Sequence, residues 1–510
     1  MHPDIGPTTS CWTDTNATPR FPELGENVRT HVCIVGAGIA GLTTAYLLAR
    51  TGKAVVVVDD GRIGGGETGR TTAHLTAELD DRYTRITFLH GEEGARLAAE
   101  SHTAAIQRIE AIVHLEDIEC DFERVDGFLI LGAHDRRSTL DDELAAVRQA
   151  GITDAALFER APLDFFDTGP ALRFPRQGQF HPLKYLTGLA RAFQRDGGTI
   201  YGGTKVTRID EGENDDTVIV STTSGHTIVA DDVVVATNSP VNDWMVIHTK
   251  QAPYRTYVVA FRIPAKSVPH ILLWDTEEPY HYVRVHPMDA EHDLLIVGGE
   301  DHKTGQANDA EVRFRALETW ARARFPMIGT VEYQWSGQVL DTVDALAFMG
   351  KNPGNEHIYV ITGTSGNGMT NGTIGGILVT DLITGRESSW AKLYEPSRIT
   401  LRSGLEFAKE NLNVADQYRQ YITKGDVGSA DDIPPGSGAV IRRGVHKIAV
   451  YKDESGAVQE FSAVCPHLYC IVEWNAAERS WDCPCHGSRF TQDGIVVNGP
   501  AIENLKPPSV

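Results

Sequence analysis

Six side chains able to hold a metal crowd into one short stretch near the C-terminus: Cys465, His467, Cys470, Cys483, Cys485 and His486. Within it, Cys465-x-His467 and Cys483-x-x-His486 stand fifteen residues apart, as two loops would if each offered one thiolate and one imidazole. Two chemistries accept that donor set. Zinc takes four Cys and His ligands in a tetrahedron. A [2Fe-2S] pair takes the thiolates on one iron and neutral imidazoles on the other, which trims negative charge and raises the potential to about −150 to +300 mV. The remaining cysteines, Cys11, Cys33 and Cys120, are scattered, so the clustering itself marks a metal site.

A second candidate lies near the other end. Gly36-x-Gly38-x-x-Gly41 stands between the apolar run His31–Val35 and a helical stretch at Leu42–Arg50, and Asp59 closes the β-branched run Ala54–Val58. In such a unit the first glycine makes the turn and the second lets backbone approach a pyrophosphate. The third allows helix and strand to touch, and the carboxylate accepts from ribose hydroxyls. Ile39 and Ala40 in the turn, and Asp60 and Arg62 beyond the second strand, extend the expected cradle. Further on, the strand His357–Ile361 enters Gly363-Thr-Ser-Gly366-Asn-Gly368-Met369-Thr370-Asn-Gly372 ahead of another helix. A helix N-terminus there offers backbone donors and a positive dipole to the N1 and C2 carbonyl region of an isoalloxazine, so FAD is the expected dinucleotide.

Val32–Leu42, the segment Gly66-Glu-Thr-Gly-Arg70-Thr-Thr-Ala-His74, the return strand Val233–Thr237 and the glycine-rich loop together resemble the D-amino-acid oxidase superfamily over about residues 28–395. The resemblance implies a flavin lying between a nucleotide domain and an antiparallel substrate sheet, contacted by Thr71, Thr72, Val206, Ala236 and Thr237. It implies hydride transfer from a carbon bearing nitrogen, giving an imine that hydrolyses, with Arg70, His74, Tyr282 and Arg284 as candidate catalytic residues. Tyr280, Tyr282, Arg284 and His286 share one face of a period-2 strand, where Arg284 is expected to pair a substrate carboxylate and Tyr282 to cover the flavin. Sarcosine-oxidase-like members carry a lysine on a substrate strand to promote reaction with oxygen. The best-fitting strand here, Leu294–Val297, has none, which implies another electron exit. His74 does not match the attachment motif of dimethylglycine-dehydrogenase-like members, so FAD is expected to be non-covalent.

Cys465-Pro-His467-Leu-Tyr-Cys470, Cys483-Pro-Cys485-His486-Gly-Ser488 and Gly499-Pro500 resemble Rieske proteins of the cytochrome bc type. That resemblance implies a [2Fe-2S] cluster on Cys465, His467, Cys483 and His486, and a Cys470–Cys485 disulfide joining the two loops. It also implies a Ser488 hydroxyl bonded to a cluster sulfur. Phe490 stands where high-potential members place tyrosine, and one hydrogen bond fewer predicts a lower potential. Glu278-x-x-His281-x-x-x-x-His286 superficially matches a mononuclear-iron motif, but residues five apart on a strand point to opposite faces. Including Ser10-Cys-Trp12 and Phe21-Pro22, the whole chain resembles a bacterial group of oxidase-like flavoproteins fused to a Rieske domain.

These sites need elements to hold them. Helical periodicity covers Glu92–Asp117, Thr139–Ala150, Leu183–Arg195, Glu311–Arg324 and about 402–422, with antiparallel alternation over 251–300. Lys424–Gly438, rich in Gly, Asp, Ser and Pro, is expected to be a flexible linker. The fold class is then an α/β Rossmann-type FAD-binding domain with an interleaved antiparallel substrate-binding sheet, followed by a small all-β Rieske domain. Its expected parts are an extension at 1–27, the oxidoreductase at 28–395, a helix and linker at 396–438 and the cluster domain at 439–510. Within the oxidoreductase, FAD binding falls to about 28–90, 182–250 and 335–395, and the substrate domain to about 91–181 and 251–334. Length agrees, since 510 residues suit about three domains of roughly 150. The balance of 47 basic against 69 acidic residues makes nucleic acid and anionic membranes poor partners. Neither a leader pattern at Met1–Asn27 nor a long apolar run is present, so a cytoplasmic protein is expected.

The expected function is oxidation of the C–N bond of an amine or amino acid, with reduced flavin passing single electrons to the cluster and on to an external one-electron acceptor. Two alternatives stand beside it. One is an electron-transfer or redox-sensing protein without its own substrate, and the other is a cluster-fed flavin monooxygenase.

Overall fold

The computed structural model describes residues 7–212, 217–241 and 247–508. The run Val55–Val58 is buried at every position. Side chains alternate between two cores across this sheet: Val32, Ile34, Val55 and Val57 pack on one face, Cys33, Val35, Val56 and Val58 on the other. A sheet covered on both sides requires that kind of unbroken apolar strand. Its main path runs Phe348–Lys351, Ile358–Thr362, Thr227–Asn238, Val28–Val35, Val55–Val58, Thr199–Tyr201. All neighbours on the path are parallel except the first pair. The helix Ile39–Ala49 follows the first glycine turn, and Gly368–Ile383 follows the glycine-rich loop.

The second sheet has nine strands and runs Val331–Thr342, Gln251–Pro264, His292–Lys303, His281–Pro287, Leu272–Asp275, Glu123–Ile130, Ala171–Gln179, His74–Leu75 along its main path. It is antiparallel but for the junction of Leu272–Asp275 with Glu123–Ile130, which is parallel. Val331–Thr342 lies wholly in this sheet, so the crossing back to the nucleotide layer comes after Thr342 rather than near 335. The long helix spans Arg82–Leu115, with Gly91 outside helical geometry at φ 75°, and the periodicity from Glu92 marks only its second segment.

The C-terminal domain is a three-stranded sheet, Ser437–Arg443 to Val458–Ser462, and a four-stranded one, Glu473–Asn475 to Val496–Asn498. The segment expected to be a free linker is packed on it. Asp426 N–H donates to Val440 O at 2.7 Å, and Ile433 is buried with Ala439, Ile441, Ile448 and Val450. Apolar residues among the Gly, Ser and Pro supply that packing, which composition alone does not reveal. The helix Gly404–Gln417 and the turn Tyr418–Ile422 tie both parts, through Asn411 Nδ2 to Thr249 O and Tyr418 Oη to Leu468 O. The extension near the N-terminus is also built in: the short helix Cys11–Thr15 buries Trp12, whose Nε1 donates to Thr71 O at 2.6 Å. No helix among the described residues is long and apolar enough to cross a membrane.

Candidate functional site

The glycine turn is forced by contact. Gly36 has φ +107°, and a Cβ there would lie 2.5 Å from Ala236 O; a Cβ at Gly41 would lie 1.8 Å from Gly36 O. Strand end, turn and helix therefore close on one another, and a cavity of about 850 Å³ opens over the turn. Gly36, Gly38, Ile39, Ala40, Asp59, Asp60, Arg62, Thr71, Thr72, Val206, Ala236, Thr237, Gly366, Gly368 and Met369 line it. Gly41, Gly363 and Thr370 do not: Gly41 serves helix packing, Gly363 a left-handed turn at φ +66°, and Thr370 Oγ1 donates to Asn367 O. Asp59 is anchored, Oδ2 accepting from Ala37 N–H at 2.7 Å and Oδ1 from Gly61 N–H at 2.8 Å. A bare-backbone cradle, a fixed carboxylate and a helix start at the far wall fit an extended dinucleotide such as FAD.

At the other end the same cavity is walled by side chains: His74, Asp80, Thr256, Trp274, Tyr280, Tyr282 and Asp301. Tyr282 Oη and Thr256 Oγ1 are 2.7 Å apart, and Tyr280 Oη donates to Asp80 Oδ2 at 3.4 Å. His74 is held neutral, its pKa pushed down to about 3 by burial and the nearby Arg284 charge. Tyr282 and His74 thus line the cavity, whereas the guanidinium groups of the two arginines point elsewhere. Arg284 is buried and does not line the cavity; its Nη1 donates to Thr72 O, Ala73 O and Phe180 O and so holds the backbone beneath the cavity, while its Nε and Nη2 are buried without a hydrogen-bond partner. Strand alternation placed it on the face of Tyr282, but its length carries the guanidinium past the cavity to carbonyls of a neighbouring loop. Arg70 borders the cavity, but its guanidinium turns to the C-terminal domain, 3.2 Å from Glu478 Oε1, and also donates to Ser336 O and Thr8. His281 and His286 do not converge: one bonds Asp275 and stacks on Trp320, the other packs on Trp12 and His181.

The cluster loops bring their four expected ligands together. Cys465 and Cys483 face each other within sulfur hydrogen-bonding reach, which holds Cys465 below and Cys483 above the ordinary thiol range. The His467 and His486 rings are 5.1 Å apart. His486 Nδ1 is buried without a hydrogen-bond partner, and burial pushes its pKa down to about 3, as a neutral imidazole ligand requires. Two thiols, two imidazoles and an orphaned ring nitrogen on His486 fit a [2Fe-2S] cluster. Cys470 and Cys485 are joined as a disulfide, and the Ser488 hydroxyl bonds the Cys465 sulfur. Phe490 is fully buried.

The cavity and the cluster loops meet. Val496, Val497, Asn498, Gly499 and Ala501 of the C-terminal domain line the cavity alongside Gly36 and Gly366. Gln338 also lines it, its Nε2 donating to Gly487 O at 2.9 Å, next to His486. Glu67 accepts from Gln338 N–H at 2.8 Å and Asn498 Nδ2 at 3.2 Å. From the nucleotide side, the His248 ring meets His467 at 5.2 Å and His486 at 6.4 Å. Sequence reasoning missed Asp80, Asp301, Gln338, Glu478 and His248. Asp80 in Leu75-Thr-Ala-Glu-Leu-Asp-Asp and Asp301 at the end of an apolar strand carried a signal, charge beside buried positions, whereas Gln338 and Glu478 carried none.

Comparison with known proteins agrees with this architecture. The family model described as FAD dependent oxidoreductase matches residues 31–382, and the Rieske [2Fe-2S] domain model matches 423–509. The chain is 33% identical over 502 residues to YhfW of Bacillus subtilis (strain 168), named as a Rieske 2Fe-2S iron-sulfur protein, covering 97% of this chain and 96% of that one. It is 27% identical over 378 residues to gamma-glutamylputrescine oxidoreductase of Escherichia coli (strain K12), covering 72% and 86%. Among solved structures, glycine oxidase from Geobacillus kaustophilus shares the fold at TM-score 0.59 and 19% identity, over 73% of this chain and all of that one. Cradle, cavity and cluster loops thus agree with what the chain resembles, and it belongs to the FAD dependent oxidoreductases, with a Rieske [2Fe-2S] domain at its C-terminal end.

Proposed function

We propose that the protein oxidises the C–N bond of an amine or amino acid and passes the electrons singly to its own cluster, from which an external one-electron acceptor collects them. FAD, when bound, supplies the hydride acceptor, and the Rieske cluster a one-electron centre of raised potential. The observation that carries this reading is the shared wall. Residues 496–499 close the cavity from the cluster domain, and Gln338 links it to the loop that bears His486.

The chain's own residues prepare both ends. Asp59 and the glycine turn would hold the nucleotide, Tyr282 and Trp274 wall the chamber, and His74 stays neutral in its lining. Among the described residues, the one lysine lining the cavity, Lys205, is at the nucleotide end near Asp60, which supports an electron exit other than oxygen. The likeness to gamma-glutamylputrescine oxidoreductase supports an amine or amino-acid substrate. The test is anaerobic mixing with a panel of secondary amines and amino acids, following flavin absorbance and low-temperature EPR together. Bleaching of the flavin followed by growth of a Rieske-type signal is expected. A bleached flavin beside a permanently oxidised cluster overturns the electron path.

A further inference from the structure

The chamber is lined by carboxyl groups, which a bound cation would favour in their ionised form. Asp80 and Asp301 line it, Asp341 lies close by with Ser365 donating to it at 2.6 Å, and Glu78 stands behind Asp80. Asp80 Oδ2 presses so close over the glycine-rich loop that a Cβ at Gly366 would lie 1.7 Å from it. Asp301 Oδ1 faces the chamber, buried and without a hydrogen-bond partner, and Glu78 Oε2, on a side chain 4% exposed, is equally unmatched. Burial and mutual repulsion push Asp80 to about 7 and Asp301 to about 8.

The arginines nearest the chamber make their hydrogen bonds outside it. Arg284 lies outside the cavity lining, its Nη1 on three backbone carbonyls and its other two nitrogens buried without a partner, and Arg70 pairs with Glu478. Of the other basic residues lining the cavity, Lys205 neighbours Asp60, and Arg20 and Arg62 belong to the Phe21, Gly61 and Gly202 corner at the nucleotide end. Around the two carboxylates stand Trp274, Tyr280 and Tyr282, the tyrosine rings 5.6 Å apart. Aromatic faces beside carboxylates attract an organic ammonium and repel a carboxylate.

We infer that this chamber is a cation site, with Asp80 and Asp301 as its specificity-determining residues, and that the substrate is an ammonium-bearing amine with no carboxylate on the carbon to be oxidised. The inference rests on the C–N oxidoreductase reading and narrows it from amines and amino acids to amines.

The test titrates the flavin absorbance of the holoprotein with two probes of similar length that a flavin does not dehydrogenate, butyltrimethylammonium and pentanoate. Saturable perturbation by the ammonium is expected, with pentanoate weaker by about tenfold or more. Asp80→Asn and Asp301→Asn should each weaken the ammonium by about tenfold, with FAD content retained. Pentanoate binding as tightly as the ammonium, or both variants binding the ammonium like wild type, overturns the inference. The two readings fail separately. If the ammonium probe binds as expected but no amine reduces the flavin anaerobically, the oxidoreductase reading falls and the cation site stands. If α-amino acids reduce the flavin better than amines lacking a carboxylate, the cation site falls and the oxidoreductase reading stands.

Discussion

The two ends of the cavity are built from different materials. At the nucleotide end the ligand-facing surface is mostly backbone, made available by residues with no side chain at all, and its one key carboxylate, Asp59, is fixed by two amide donors. At the chamber end it is side chains from three separate stretches, 74–80, 256–282 and 301, held by one another. A backbone site tolerates no added atom, whereas a side-chain site tolerates change in shape but not in charge. The sharpest way to break this contrast is Gly36→Ala. The methyl group would meet Ala236 O at 2.5 Å in a left-handed conformation, so a cost of about 3–5 kcal/mol and loss of FAD are expected. Flavin per chain and the melting temperature measure it, and an alanine variant that keeps full FAD would dissolve the distinction.

The same contrast explains what could be seen in the sequence. A backbone site has to be written contiguously, so Gly36, Gly38, Gly41 and Asp59 stand in one strand-turn-helix-strand unit, and the cluster loops likewise carry their ligands and the disulfide pair in two short strings. The chamber has no such string. Tyr282 was visible because a period-2 strand displayed it, but Arg284 shared that pattern and turned out to brace backbone, since alternation gives a face and not the reach of a long side chain. Asp301 and Asp80 line the same cavity although 221 positions separate them in sequence, so no short string announces the pair. The seam between the domains was equally hidden, because Glu478 sits in an ordinary turn and acquires its meaning from Arg70, 408 residues away.

That seam sharpens the comparison, since it roofs the cavity. Arg70 and Glu478 are 8% and 1% exposed, and Ser336 and Thr8 complete the carboxylate's bonding. Glu478→Gln keeps the shape but leaves a buried guanidinium without its charge partner, an expected loss of about 3–5 kcal/mol. The loss should appear as separate melting of flavin and cluster, and as slower electron arrival at the cluster after flavin reduction. Burial alone would raise the Glu478 pKa, but Arg70, Arg255 and Arg489 outweigh it and hold the group below the usual range. A lowered folded-state pKa stabilises above the unfolded value and is lost as pH falls through the folded one. Wild-type docking should therefore weaken on acidification below about pH 4.5, and the glutamine variant should lack that acid limb. An unchanged acid limb in the variant would assign it to other carboxylates.

The chamber carboxylates carry the opposite sign, and this gives the smallest expected effect. Asp301 is raised to about 8 and Asp80 to about 7, first by burial. A carboxylate whose folded-state pKa lies above its unfolded value favours the fold most below the unfolded pKa, and that contribution drains away as pH rises through the folded one. Between about pH 4 and 8 the unfolded chain has already released the proton that the folded chain still holds, so stability should fall with rising pH. The melting temperature of the holoprotein should drop by a few degrees across that window. Asp301→Asn cannot release the proton and should flatten the slope. Saturating butyltrimethylammonium should flatten it too, because a bound cation favours the ionised carboxylates and restores what deprotonation costs. The nucleotide end is built differently, its Asp59 carboxylate accepting from two backbone amides. A slope that survives in Asp301→Asn but vanishes in Asp59→Asn would invert the comparison and place the strained charge beside the nucleotide.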